Sequence, residues 1–131
     1  MSGATKHIVC VEDESDMLEL LQIILRRKGY KVSAATGGLE GLRMIREFKP
    51  DLVLLDLMML DMDGWEVYQQ MKADENTKNI PVIIVTAKAQ SIDKVLGLHI
   101  AKVDDYITKP FSPSDLLDSV TKVLAKHEKV S

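Results

Sequence analysis

The sequence predicts an α/β domain in which a doubly wound, five-stranded parallel sheet lies between two layers of helices, a three-layer α/β/α arrangement. Two observations carry this. Five short apolar, β-branched runs alternate strictly with five longer segments of helical periodicity, and such alternation implies right-handed crossovers. Two of the runs, Leu52–Leu55 and residues 81–85, are apolar at successive positions, as strands covered on both faces must be.

His7–Val11 reads as the first strand, and a helix follows over about residues 16–28. Met17, Leu18, Leu21, Ile24 and Leu25 fall on one face of it; Ser15 and Asp16 suit its start, and Arg26, Arg27, Lys28 and Gly29 its end. Residues 30–35 form the second strand. Leu39, Leu42, Ile45 and Phe48 are expected to be the buried stripe of the second helix, which Pro50 stops. Leu52–Leu55 ends in Asp56, at the carboxyl end of a central strand. A third helix is expected over about 64–72 with Val67, Tyr68 and Met71 inward, then a loop over 76–81. The fourth strand runs to Thr86 and Ala87, and a fourth helix is expected over 91–100 with Ile92, Val95, Leu96 and His99 on one face. A short fifth strand over 106–108 closes on Lys109 and Pro110. Ser112, Pro113 and Asp115 form a capping-box start to the last helix, whose apolar face is Leu116, Leu117, Val120, Val123 and Leu124.

With 131 residues and no linker, repeat or low-complexity tract, the chain is expected to be one domain over 1–131 with its core at about 6–127. A net charge of -3 with scattered Lys and Arg argues against direct nucleic-acid binding. Cys10 is alone in an apolar run and reads as a core residue in a reducing compartment. No apolar run approaches the ~18 residues that span a bilayer, so the cytoplasm is the expected location and no membrane contact is expected. His7, His99 and His127 share no metal-ligand spacing.

In a doubly wound sheet, chemistry gathers at the carboxyl ends of the strands. Those ends here carry Glu12 and Asp13, Asp56, Thr86 and Lys109. Three crowded carboxylates stay ionised only beside a cation, and an all-oxygen site with room for water suits Mg²⁺. An aspartate beside that metal is a competent nucleophile toward phosphorus. Asp56 supplies the oxygen, and Lys109 and the Thr86 hydroxyl pair with phosphoryl oxygens.

Four segments carry a family resemblance: Val-Glu-Asp-Glu at 11–14, Asp-Leu-Met-Met at 56–59 leading to Met-Asp-Gly at 62–64, Val-Thr-Ala at 85–87, and Asp-Asp-Tyr-Ile-Thr-Lys-Pro-Phe at 104–111. Together they resemble the receiver domain of two-component response regulators over nearly the whole chain. That resemblance implies a flavodoxin-like sheet in the order 2-1-3-4-5 and Mg²⁺ held by Glu12, Asp13, Asp56 and the Met58 backbone carbonyl. It also implies phosphorylation of Asp56 by a histidine kinase or phosphotransfer protein, and a switch through Thr86 and Tyr106 that changes partner affinity. Such a domain is not an enzyme beyond its own phosphorylation and dephosphorylation. Kinase, effector and oligomeric state stay open, a phosphorylation-dependent homodimer included, although Ser119 and Thr121 stand where DNA-binding regulators that dimerise through this face often carry arginines. The chain departs from the family at Leu60, where proline is common, and between Gly97 and Asp104, where it is one residue longer and Ala101 and Lys102 replace a usual Gly-Ala pair.

Two other readings compete. Asp61-Met62-Asp63-Gly64 resembles the start of haloacid-dehalogenase-type phosphatases, but there the first aspartate directly ends the strand, and Trp65 replaces the expected Thr. A receiver-like binding module that does not use phosphate is the other, and the full set of Asp13, Asp56, Thr86 and Lys109 argues against it.

Overall fold

The computed structural model describes residues 5–87 and 103–130. Its strands are β1 (His7–Val11), β2 (Lys31–Ala35), β3 (Leu52–Leu55), β4 (Val82–Thr86) and β5 (Asp105–Thr108). They form one parallel sheet in the order β2-β1-β3-β4-β5. The helices are α1 (Ser15–Arg27), α2 (Gly38–Phe48), α3 (Gly64–Ala73) and α4 (Pro113–Val130). The helix expected over 91–100, with His99, Ala101 and Lys102, lies outside the described residues.

Successive strand residues point to opposite faces, so the sheet sorts its own apolar side chains into two layers. Ile8, Cys10, Leu52, Leu54, Ile83 and Val85 pack with Leu18, Leu21, Ile24 and Leu25 of α1 and Leu116, Val120, Val123 and Leu124 of α4. Val9, Val11, Val53, Leu55, Val82 and Ile84 pack with Leu42 and Ile45 of α2 and Val67, Tyr68 and Met71 of α3. Both faces of β3 and β4 are therefore buried, as their unbroken apolar runs require.

The start of α4 is as expected: the Asp115 amide donates to Ser112 Oγ at 3.0 Å, and the Ser112 amide to Asp115 Oδ2 at 3.4 Å. α1 begins at Ser15 with Asp16 in its first turn, as expected; Glu14 takes the N-cap position without a side-chain cap, and its amide donates back to Glu12 Oε2 at 3.1 Å. One expectation fails. In α2, Leu39 is 61% and Phe48 41% exposed, so neither belongs to the buried stripe. The buried positions are Gly38, Gly41, Leu42 and Ile45. A Cβ on Gly41 would lie 2.7 Å from both γ-carbons of Val11, so the missing side chains set how closely α2 approaches β1. The helix turns its glycines inward and leaves Leu39 outside.

The N-terminus of α2 is capped from a distance. Asp61 Oδ1 accepts from the Gly38 amide at 2.9 Å and Oδ2 from the Leu39 amide at 3.1 Å. These two bonds, in that order of weight, hold the Asp61 carboxyl below its ordinary range. Asp61→Ala should lower stability by about 1 kcal/mol, as loss of a helix cap does, read as a shift in the urea midpoint. An unchanged midpoint would show that these bonds are not kept in solution.

Candidate functional site

Strand register brings the predicted residues together. Val11 pairs with Leu55, so Glu12 and Asp56 leave adjacent strands side by side, and the Asp56 amide still donates to Val11 O at 3.0 Å. Thr86 pairs with Thr108, and the Lys109 amide donates to Thr86 O at 2.9 Å. Lys109 therefore emerges at the same edge as the carboxylates, at the carboxyl ends of all the strands concerned.

Glu12, Asp13 and Asp56 each offer a carboxylate oxygen within 4.8 Å of the others. Glu12 is 1% exposed and Asp56 5%. Lys109 Nζ lies 2.6 Å from Glu12 Oε1 and 3.6 Å from Asp56 Oδ2. The Met58 amide donates to Asp56 Oδ1 at 3.2 Å. Burial, and then hydrogen bonding and repulsion from Glu12, raise the Asp56 carboxyl from 3.8 to about 7, against the pull of the Met58 amide and Lys109. Burial lowers Lys109, but its hydrogen bond to Glu12 and the charges of Asp56, Glu12 and Glu14 more than offset this, so it stays a firm cation.

This charge pattern fits a divalent cation. Among the described residues one ammonium, paired with Glu12 and Asp56, stands beside a cluster of three carboxylates, two of them buried, and every donor is oxygen, as Mg²⁺ prefers. Oxygens around an octahedral Mg²⁺ sit about 3 Å apart in cis and about 4 Å in trans, so three oxygens within 4.8 Å of one another would draw together around a bound ion.

The Thr86 hydroxyl is fully buried with no hydrogen-bond partner among the described residues. A buried hydroxyl left unsatisfied costs free energy unless something docks against it. Tyr106 projects from β5, 45% exposed. Trp65 is half-buried at the start of α3, packed edge-on against Tyr68 at 5.8 Å. The two described histidines serve structure: His7 Nε2 is 2.7 Å from Ser33 Oγ, and His127 Nε2 is 2.8 Å from Asp104 Oδ1. Cys10 is buried, and burial pushes its thiol up to about 12, so it is inert. Asp61, nucleophile of the phosphatase reading, is engaged at α2 and stands outside the carboxylate cluster.

Two features were not foreseen. A Cβ on Gly64 would fall 2.2 Å from the Asp56 carbonyl oxygen, so α3 begins directly against the backbone of the central aspartate. The Leu60 amide donates to Asp13 Oδ2 at 2.8 Å. Met-Asp-Gly hinted at the first; no residue letter encodes the second, because the group is backbone.

The response regulator receiver domain family matches residues 8–121. The chain is 38% identical over 128 residues to the DNA-binding response regulator MtrA of Mycobacterium bovis, covering 98% of this chain and 54% of that protein. It is 42% identical over 123 residues to the alkaline phosphatase synthesis transcriptional regulatory protein PhoP of Bacillus subtilis, covering 94% and 50%. The chain thus spans about half the length of the curated relatives it matches. Among solved structures, a CheY-like receiver domain protein of Methanospirillum hungatei superposes with a TM-score of 0.88 at 32% identity, over 98% of this chain and 100% of that one. The receiver domain of the sensor histidine kinase PA1611 of Pseudomonas aeruginosa, with magnesium coordinated in its active-site cleft, gives 0.84 at 26% identity over 93% and 99%. Family match, sheet order and clustered carboxylates agree: the chain belongs to the response regulator receiver domain family, whose members are generally not classed as enzymes.

Proposed function

We propose that Asp56 is the phosphoacceptor of a Mg²⁺-dependent switch, charged by the phosphohistidine of a histidine kinase or phosphotransfer protein. The observation that carries this is the placing of one buried carboxylate, Asp56, between two further carboxylates and the Lys109 ammonium. An Asp56 oxygen attacks phosphorus, the P–N bond breaks with its electron pair going to the imidazole, and an acyl phosphate forms. Glu12, Asp13, Asp56 and the Met58 carbonyl would hold Mg²⁺, which when bound neutralises phosphoryl oxygens. Lys109 exchanges part of its contact with Glu12 for a phosphoryl oxygen, and the Thr86 hydroxyl, without a partner among the described residues, donates to another.

The drawing-in of Thr86 frees space on its outer side, into which Tyr106 turns, and the β5–α4 face changes shape. A hundredfold population shift needs about 2.7 kcal/mol, within reach of one or two new charge-assisted hydrogen bonds. Hydrolysis of the acyl phosphate by the same residues resets the switch. We assign this segment the receiving role in the cytoplasm and no nucleic-acid contact of its own; no helix among the described residues is long and apolar enough to cross a membrane.

Intact mass after acetyl phosphate and Mg²⁺ should show one added phosphoryl group on the wild type and none on Asp56→Asn. Equal labelling of both would refute the acceptor assignment. Turnover of generic phosphoesters would instead favour a phosphatase.

A further inference from the structure

The three carboxylates are not held alike. Glu12 is fixed by Lys109 and the Glu14 amide, and Asp56 by the Met58 amide and Lys109. Asp13, half-buried, has among the described residues a single hydrogen-bond or ion-pair partner, the backbone N–H of Leu60 at 2.8 Å. The Leu60 side chain is 100% exposed and packs on nothing. What this residue contributes is its amide, which proline, the residue that resemblance to the family leads one to expect here, does not have.

The amide is aimed from both sides. Before it, the Met58 amide is tied to Asp56 Oδ1; after it, the Asp61 carboxylate is tied to the Gly38 and Leu39 amides of α2. The chain between these anchors is short, so the Leu60 N–H is presented to Asp13 by a braced frame. Only Oδ2 of Asp13 takes this bond, leaving Oδ1 and further lone pairs for a cation. Because an Asp13 oxygen already lies within 4.8 Å of the other two carboxylates, cation binding does not require the bond to break.

We propose that the Leu60 backbone amide is a positioning group for the divalent cation: it orients Asp13 toward Glu12 and Asp56 and so tightens Mg²⁺ binding. This rests on the reading of the cluster as a Mg²⁺ site. Hydrogen-bond partners that orient a metal ligand typically govern affinity by 10–100-fold.

The test is calorimetric titration with MgCl₂ of the wild type, Leu60→Ala and Leu60→Pro, with circular dichroism to confirm folding. Leu60→Ala keeps the N–H and should bind within about twofold of wild type; Leu60→Pro should bind about tenfold more weakly. In an Asp13→Ala background, Leu60→Pro should change affinity less than about twofold, because the group it acts through is gone. Wild-type affinity in Leu60→Pro, tighter binding, equal weakening by both variants, or a full effect in the Asp13→Ala background would each overturn the inference. Should Leu60→Pro not fold, amide hydrogen exchange on the metal-free wild type decides: Leu60 should be protected despite its exposed side chain, and Asp13→Ala should abolish that protection. Exchange at the free rate in the wild type overturns it. If Leu60→Pro binds Mg²⁺ like the wild type while the wild type is phosphorylated, this inference fails alone; if the wild type binds no Mg²⁺, both readings fail.

Discussion

Gly64→Ala should destabilise the chain by about 3 kcal/mol, near the top of the range for overpacking, and slow phosphorylation of Asp56 by at least about tenfold, as misplacement near a reacting centre does. The added Cβ would lie 2.2 Å from the Asp56 carbonyl oxygen, 2.7 Å from Leu57 Cα and 3.0 Å from the Asp56 carbonyl carbon. All three are backbone atoms at the end of a central strand, so no side chain can swing aside. Relief comes only by moving α3, whose Gly64 amide is bonded to Leu57 O at 3.1 Å, or by moving the peptide that carries the acceptor. Gly37→Ala is the matched comparison. Its Cβ would meet the Asp61 carboxylate at 2.9 Å, the far end of a side chain that can shift, so its cost should be smaller. Urea midpoints and labelling rates with acetyl phosphate check both. A Gly64→Ala chain as stable and as rapidly labelled as the wild type would mean that α3 does not abut Asp56.

The second large effect concerns pH. The Asp56 carboxyl lies near 7 in the folded chain against an ordinary 3.8, chiefly through burial and then the neighbouring Glu12. Between these values the folded state keeps a proton that the unfolded state has released. Stability from this group is therefore full below about pH 4, declines as pH rises toward 7, and stays low above. Asp56→Asn removes the titration but preserves shape and an acceptor for the Met58 amide. Without metal, the variant should exceed the wild type at pH 8 by on the order of 2 kcal/mol, a value discounted from the full shift for solvent screening. By pH 4 the gap should close. Excess Mg²⁺ should then raise the wild type selectively, since it binds only the folded state. Urea melts across pH, in chelator and in Mg²⁺, read this directly; parallel pH profiles for the two proteins would rule out the raised carboxyl.

What could be read beforehand follows from how local each signal is. The α4 start was legible because Ser112, Pro113 and Asp115 form their contacts within one turn. The meeting of Glu12, Asp13, Asp56 and Lys109 was legible because a parallel sheet sends all its carboxyl ends to one edge, and the register places them there. Leu39 and Phe48 misled because hydropathy ranks a leucine above a glycine, while close packing on Val11 selected Gly41. The cap on α2 was hidden because its donor amides and its acceptor Asp61 are more than twenty positions apart. The Leu60 bond was hidden because every residue but proline carries the same N–H.

Lys109 and Glu12 touch across a sequence separation of 97 residues, from the last strand back to the first. During synthesis, then, the acidic residues emerge from the ribosome long before their counter-charge does. A nascent chain still lacking β5 presents Glu12 and Asp56 without the Lys109 ammonium that pairs with them in the finished fold. On the function proposed above, such a chain would not answer a phosphodonor, and responsiveness would arrive only with β5.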